Sequence, residues 1–518
     1  MVDVRYPNGY LAQPLRFFIC AMSDQQKSPE APARVIPIKA EEATTDAAKA
    51  ARREEIVSLY KKSEKIYARE VTGWFTNWRW VMVWLTQLVF YVTPWLYWND
   101  RQAVLFDLGT RRFYLFNLVL YPQDLVYLTA LLVISAYGLF LFTTVAGRLW
   151  CGYACPQSVY TEMFMWIENK IEGSRAKRMK MDKSPMTAEK FARKAAKHTA
   201  WIAVALWTGY TFVGYFSPIR ELWQSVISLG LGPWETFWIL FYGFATYGNA
   251  GFMREQVCKY MCPYARFQSA MFDRDTLIIS YDEKRGEPRG ARSRKANAQS
   301  MGQGDCIDCT LCVQVCPTGI DIRKGLQYEC IGCAACIDAC DTVMDKMGTP
   351  RGLIRYSTQN AMEKGWGSSE MWGRVTRPRV LIYTGILVLV VVAFVISLYS
   401  RPPFRVDIVR DRGALARVVD DGYIENVYRV QLMNASERVQ RYRIGVEQLS
   451  QAKVQGGENI TLGPAEARWV PVAVRIPPEV GARMGSGATG VTILVEQLRQ
   501  GEMAQVDVRE KTTFMVPR

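Results

Sequence analysis

Five stretches of the chain carry no Asp, Glu, Lys or Arg: residues 80–99, 125–147, 198–219, 236–253 and 380–400. Each is about as long as a helix that crosses a bilayer, roughly 17–25 residues. The pattern therefore predicts five membrane spans. The first four are rich in Trp, Tyr and Phe, and the fifth, "VLIYTGILVLVVVAFVISLYS", is the cleanest. The fourth is short and interrupted by Gly243, Gly248 and Gly251. The uncharged run just before it, 222–234, contains Gly230, Gly232 and Pro233 and reads as an interfacial or re-entrant piece. Any one of these runs could be a buried core helix; five together point to a membrane. Beyond residue 401 the pattern changes to short alternating runs such as "YRVQLMN", "RYRIGVEQL" and "RWVPVAVRIP", separated by Gly, Pro, Asn and Asp. That spacing predicts an antiparallel sandwich over 401–518. Residues 1–70 are polar with little periodicity. They read as a mostly disordered segment, with a surface helix near 50–70 and a natural start at Met22 that leaves Cys20 without a role.

Charge orients the spans. The connection 100–124 holds three basic residues, 148–197 eleven, 220–235 one and 254–379 nineteen. Basic residues stay on the cytoplasmic side. The second and fourth connections therefore face the cytoplasm with the N-terminus, and 401–518 faces the periplasm. The net charge of +15 follows from this distribution, which removes the case for nucleic-acid binding. The chain of 518 residues is 49% apolar and 22% charged, so it is not a disordered chain as a whole. His198 is the single histidine. That excludes any metal or haem site needing two histidines from this chain.

The chemistry lies in the cysteines. "CIDCTLCVQVCP" holds Cys306, Cys309, Cys312 and Cys316; "CIGCAACIDAC" holds Cys330, Cys333, Cys336 and Cys340. Each is C-x₂-C-x₂-C-x₃-C, the two-cluster ferredoxin pattern, in which the fourth cysteine of one motif ligates the other cluster. The spacing assigns Cys306, Cys309, Cys312 and Cys340 to one [4Fe–4S] cluster. Cys330, Cys333, Cys336 and Cys316 go to the second. Structural zinc usually takes two cysteine pairs with a long spacer instead. Pro317 follows the first motif and Asp341 the second, so the second turn is expected to differ. Two further pairs, Cys151/Cys155 and Cys258/Cys262, both read C-x₃-C-P at the cytoplasmic end of a span. On an unbroken helix the spacing i, i+4 puts both sulfurs on one face, roughly 5–6 Å apart at Cβ, whereas Pro156 and Pro263 are expected to break or kink the helix there and aim the pair. Four such thiolates suit a soft ion such as Cu(I). Arg148 and Arg254 precede the pairs, as thiol-tuning charges or plain membrane anchors. His198 reads as an interfacial residue.

In this order of parts the chain resembles the cytochrome c oxidase accessory proteins known as CcoG, FixG or RdxA. The five spans, both C-x₃-C-P pairs, the ferredoxin motifs and the C-terminal domain carry the resemblance, from about residue 60 onward. It implies an α-helical integral membrane protein with a two-cluster ferredoxin insert (about 300–345, within 254–379) and a C-terminal immunoglobulin-like sandwich. A four-span domain would fill 71–253. It implies a cupric reductase of the bacterial inner membrane that delivers Cu(I), with copper as substrate or transient ligand. The implied partners are subunits of a cbb-type cytochrome c oxidase, copper-handling assembly factors and a cytoplasmic electron donor; a homodimer is compatible with it. The eight ferredoxin cysteines would hold the clusters, and Cys151, Cys155, Cys258 and Cys262 would act on copper. The competing readings are a quinone-linked membrane ferredoxin, favoured by a quinone pocket among the aromatic spans, and a copper-binding scaffold without turnover.

Overall fold

The computed structural model describes residues 65–294, 301–411, 413, 416–498 and 506–517. Met22, Cys20 and most of the expected 50–70 helix lie outside the described residues. Residues 65–70 form no helix.

Helices form where the charge-free runs lie: Trp74–Val92, Leu125–Ala146, Ala188–Val213, Pro233–Thr246 and Pro378–Tyr399. Among the described residues, two are long and apolar enough to cross a membrane, Pro122–Ala146 and Pro378–Tyr399, with mean hydropathy 2.2 and 2.9. The other three fall short. Trp74–Val92 carries Arg79, Ala188–Val213 begins with charged residues as far as Lys197 before its apolar half, and Pro233–Thr246 gives way to a π-helical stretch over Tyr247–Met253. Their outer faces are nonetheless apolar: Trp84, Leu88, Leu206, Phe241 and Phe244 are exposed. The run expected as a re-entrant piece holds a short helix, Ile219–Ile227.

The connections sort to two ends of the helices. At one end lie 65–73, 148–197 and 254–379. There Arg69 N–H bonds the Gln314 carbonyl at 2.8 Å, and Lys197 pairs with Glu172 at 2.9 Å. At the other end, residues 97–120 fold into two small antiparallel sheets that the hydrophobic pattern did not reveal. Phe106 N–H bonds the Tyr215 carbonyl at 2.7 Å. Tyr121 and Val119 share a core with Met433 and Ala465 of the C-terminal domain. Asp124, fully buried, takes ion pairs from Arg401 and Arg405.

The C-terminal domain is a sandwich. One sheet pairs Phe404–Arg410, Ile424–Asn434, Ala467–Ile476 and Lys453–Gln455; the other pairs Ile460–Leu462, Gln440–Glu447, Gly487–Leu498 and Val506–Val516. Strict alternation fills the space between them. Tyr428, Val430 and Leu432 face Tyr442, Ile493, Val495 and Phe514, all fully or nearly fully buried. In the ferredoxin segment Ile278–Tyr281 pairs antiparallel with Ile354–Ser357, and both strands share a core with the helix Ala335–Met347.

Candidate iron–sulfur and membrane-edge cysteine site

The two ferredoxin motifs fold alike. Asp308 and Thr310 in the first, and Gly332 and Ala334 in the second, take positive φ at matching positions. Each left-handed turn folds the loop around the third cysteine, which then enters a helix, Leu311–Gln314 or Ala335–Met347. One cavity is lined by Cys306, Cys309, Cys312 and Cys340. The other is lined by Cys316, Cys330, Cys333 and Cys336, with Cys312 on the shared wall. Each cavity thus meets three cysteines of one motif and the last of the other. Four thiols with isoleucines and other apolar side chains between them are the donor set and dry surroundings that a [4Fe–4S] cluster takes. The difference expected after the motifs is present. Chain direction changes at Pro317, whereas the helix runs on through Asp341, whose Oδ1 accepts from Gly352 N–H at 3.0 Å.

The two loops differ in their surroundings. Cys309 is exposed, whereas Cys333 is buried. A Cβ on Gly332 would meet the Arg148 carbonyl carbon and oxygen at 3.1 Å, and one on Gly152 would meet Cys333 Cα at 2.8 Å and its N at 2.9 Å. Gly152 lies between Cys151 and Cys155. Only two glycines, each facing the other's loop, let backbone approach backbone this closely.

The C-x₃-C-P segments are not continuous helices: Pro156 and Pro263 break them, as their place in the motif leads one to expect, so the one-face arrangement of an unbroken helix does not form. In each, a residue at positive φ stands four before the first cysteine (Gly147, Arg254). The first cysteine then sits in a short helical turn, Leu149–Tyr153 or Val257–Met261. The second, Cys155 or Cys262, is extended and begins the next helix at Pro156 or Pro263. Proline disfavours helical geometry in the residue before it and is well placed at the first helical position. The repeat seen in the sequence is therefore a repeated helix–break–turn–helix.

These four cysteines are neighbours. Cys258 senses the charges of Cys155, Cys151 and Cys262, and Cys151 those of Cys155 and Cys262. Burial pushes the Cys151 thiol up to about 11, against a hydrogen bond from Gln268, whose Nε2 lies 3.4 Å from Sγ. Burial pushes Cys258 to about 12. Cys155 is also raised by burial, against the N–H groups of Gln157 and Ser158 at the helix start. Among the described residues no three Cys, His, Asp or Glu converge closely enough to hold a single ion. That holds for the ferredoxin quartets too, as it should where four thiols surround a cube. Cys151 and Cys258 pack on the same core as Cys333 and Cys336.

The two arginines part company. Arg148 is buried and donates to the carbonyls of Tyr328 and Ala265, clamping the second ferredoxin loop to the helix at Pro263. Its charge also favours the thiolates of Cys151 and Cys258. Arg254 turns away, to Glu168 Oε2 at 2.7 Å and over the Trp201 ring. His198 Nδ1 lies 2.9 Å from the Tyr247 hydroxyl, remote in role from the cysteines. Gln268 was not singled out by sequence reasoning; a lone glutamine carries no signal.

Three family models match the chain. A 4Fe-4S binding domain covers 128–173, with Cys151 and Cys155. A 4Fe-4S dicluster domain covers 253–359, with the other ten cysteines described above. The IG-like fold at the C-terminus of FixG covers 394–517. These parts define an iron–sulfur electron-transfer protein. The chain is 36% identical over 476 residues to nitrogen fixation protein FixG of Rhizobium meliloti, across 85% of this chain and 91% of that one. It is 40% identical to protein RdxA and to protein RdxB of Cereibacter sphaeroides, across 75% of this chain and 83% of each. The chain belongs to the FixG/RdxA family.

Proposed function

We propose that this protein is a five-span inner-membrane oxidoreductase that reduces Cu(II) to Cu(I) for assembly of a cbb-type haem–copper oxidase. The ferredoxin end faces the cytoplasm and the C-terminal domain the periplasm. The exposed apolar faces of the three aromatic helices support the span count. The basic connections, 148–197 and 254–379, meet at one end of the helices, which supports the sidedness.

The observation that carries the reading is the Gly152–Cys333 approach. It sets the membrane-edge cysteines directly against the second ferredoxin loop. When bound, two [4Fe–4S] clusters supply one-electron carriage. Cys306, Cys309, Cys312 and Cys340 would hold the first, and Cys316, Cys330, Cys333 and Cys336 the second. The exposed Cys309 loop is the face open to a cytoplasmic donor. Cys151, Cys155, Cys258 and Cys262 offer soft sulfur, which favours Cu(I) over Cu(II), so one electron and one Cu(II) give one Cu(I). Four thiols in one neighbourhood, without a closed single-ion site, suit an ion that must arrive and leave.

The test is anaerobic stopped-flow of the reduced protein mixed with Cu(II), with Cu(I) trapped by a chelator. Changing all four membrane-edge cysteines to Ser should abolish Cu(I) formation and leave the visible iron–sulfur absorption intact. Unchanged Cu(I) formation overturns the role of the quartet.

A further inference from the structure

Four arginines are buried among the described residues: Arg79, Arg148, Arg178 and Arg254. Three of them meet a carboxylate. Arg79 pairs with Glu162 at 2.6 Å, and Arg178 and Arg254 pair with Glu168 at 3.3 and 2.7 Å. Arg148 meets none among the described residues. Its guanidinium donates to two neutral carbonyls, those of Tyr328 and Ala265, and its Nε has no partner there. A plain membrane anchor reaches out to head groups and water, but Arg148 is 6% exposed. A charge taken out of water without an opposite charge is costly, so buried ions are paired or lie against a metal centre. Arg148 therefore needs an anion.

Its surroundings point to one. Gly147, at φ 58°, ends the helix Leu125–Ala146, and Arg148 opens the short turn Leu149–Tyr153 that carries Cys151. The Arg148 carbonyl faces Gly332, and its side chain ends on the carbonyl of Tyr328. Those two residues stand on either side of Cys330, and the Arg148 charge acts on that thiol. Cys330 lines the second cavity with Cys316, Cys333 and Cys336. Four thiolates around an iron–sulfur cube make an anion, and an added electron makes it more negative. The first cavity is arranged differently. The arginine on its wall, Arg323, is already held by Asp308 and by Asp321, the latter at 2.8 Å.

We propose that Arg148 is the counter-charge of the second [4Fe–4S] cluster and holds its reduction potential up against the lowering that burial imposes. The proposal rests on the iron–sulfur reading and is independent of copper. What it favours is the gain of one electron by that cluster, with no bond made and no proton moved. The same charge acts on Cys151 and Cys258, so one cation serves the second cluster and the membrane-edge thiols together. Thr318, on the wall of the same cavity, works in the same direction. It is 3% exposed, and its Oγ1 lies 3.3 Å from Cys316 Sγ. A ligating cysteine has no proton, so the hydroxyl is the donor, and hydrogen bonds to the sulfurs are one of the levers on cluster potential.

The experiment is an anaerobic potentiometric titration of the full-length protein in nanodiscs, with dithionite as reductant, redox mediators and no copper, followed by electron paramagnetic resonance. Two one-electron steps are expected. Arg148→Met removes the charge and should make one step about tenfold less favourable, a fall of about 59 mV for one electron. Arg148→Lys loses the two-carbonyl fork but keeps the charge, and should restore most of that fall. Thr318→Val should lower the same step, which marks it as the second cluster's. Arg148→Gln keeps an N–H for one carbonyl and takes the place of Arg148→Met if that variant loses its iron. Unchanged potentials in the uncharged variant overturn the proposal. An equal fall in Arg148→Lys also overturns it, because Arg148 is then a clamp and not a counter-charge. So does a fall confined to a step that Thr318→Val leaves alone. Potentials that move as expected in a protein that forms no Cu(I) would sink the copper reading and leave the counter-charge standing.

Discussion

Gly152 is the residue on which the two halves of the site meet. A methyl group there would face Cys333 Cα, Cys333 N and the Ile331 carbonyl at 2.8–2.9 Å. All three are backbone atoms, so no side-chain rotation can relieve the clash. Gly152→Ala is expected to destabilise the protein by about 1–3 kcal/mol, the usual cost of overpacking. It should also slow Cu(II) reduction while the iron–sulfur absorption remains. Gly248→Ala is the control, because a Cβ there meets nothing within 4 Å. Thermal unfolding and stopped-flow reduction of both variants make the check; equal rates in the two would remove Gly152 from the electron route. The cysteines were readable from spacing alone, because cluster chemistry demands near-fixed intervals. Gly152 was not, because its constraint comes from a loop 180 residues away in the sequence, and a lone glycine says nothing about what faces it.

At the scale of elements, the first helix shows how the long apolar helices and the ferredoxin segment lock together. Trp74–Val92 begins at Gly73, which has no side chain to cap it. Asp338, from the ferredoxin helix Ala335–Met347, supplies the cap. It accepts from Thr76 N–H and Thr76 Oγ1 at 2.7 Å and from Phe75 N–H at 3.2 Å. A carboxylate there also faces the positive end of the helix dipole. Asp338→Ala should cost about 1–2 kcal/mol, the range for losing an N-cap, whereas Asp345→Ala, on the exposed side of the same helix, should cost less than half of that. Chemical denaturation in detergent, read by the loss of iron–sulfur absorption, compares the two. Equal midpoints would mean the cap contributes nothing. The helices themselves were legible as charge-free runs. Their ends were less so. The pattern of C-x₃-C suggests one helical face, but Pro156 and Pro263 force Cys155 and Cys262 out of the helix. The sheets at 97–120 were missed because their strands are two to four residues long, too short for alternation to show.

For the whole molecule, the sorting of basic connections to one end anticipates which loops lie together, since a charge count needs no knowledge of packing. What it does not reveal is how the far end is fastened. There a single buried carboxylate joins three parts of the chain. Asp124 starts the helix Leu125–Ala146, accepts from Tyr121 N–H at 3.1 Å, and pairs with Arg401, at the end of the helix Pro378–Tyr399, and with Arg405, on the first strand of the sandwich. Asp124 is fully buried and the Arg401 side chain is 6% exposed. Removing one partner of such a pair leaves a charge without water or counter-ion, which typically costs about 3–5 kcal/mol. Asp124→Ala should therefore loosen the C-terminal domain from the helices without unfolding it, because the sandwich keeps its own core of Tyr428, Leu432, Tyr442 and Phe514. The expected result is faster proteolytic cleavage near residues 399–403, releasing an intact domain, with the iron–sulfur absorption at the opposite end unchanged. Arg401→Met/Asp124→Leu/Arg405→Met, which replaces all three charged groups with apolar ones of similar volume, should recover most of the resistance, since the cost lies in the orphaned charges and not in the loss of attraction. If the single variant is cleaved no faster than the native protein, Asp124 is not the fastening, and the shared core of Val119, Tyr121, Met433 and Ala465 must hold the domain by itself.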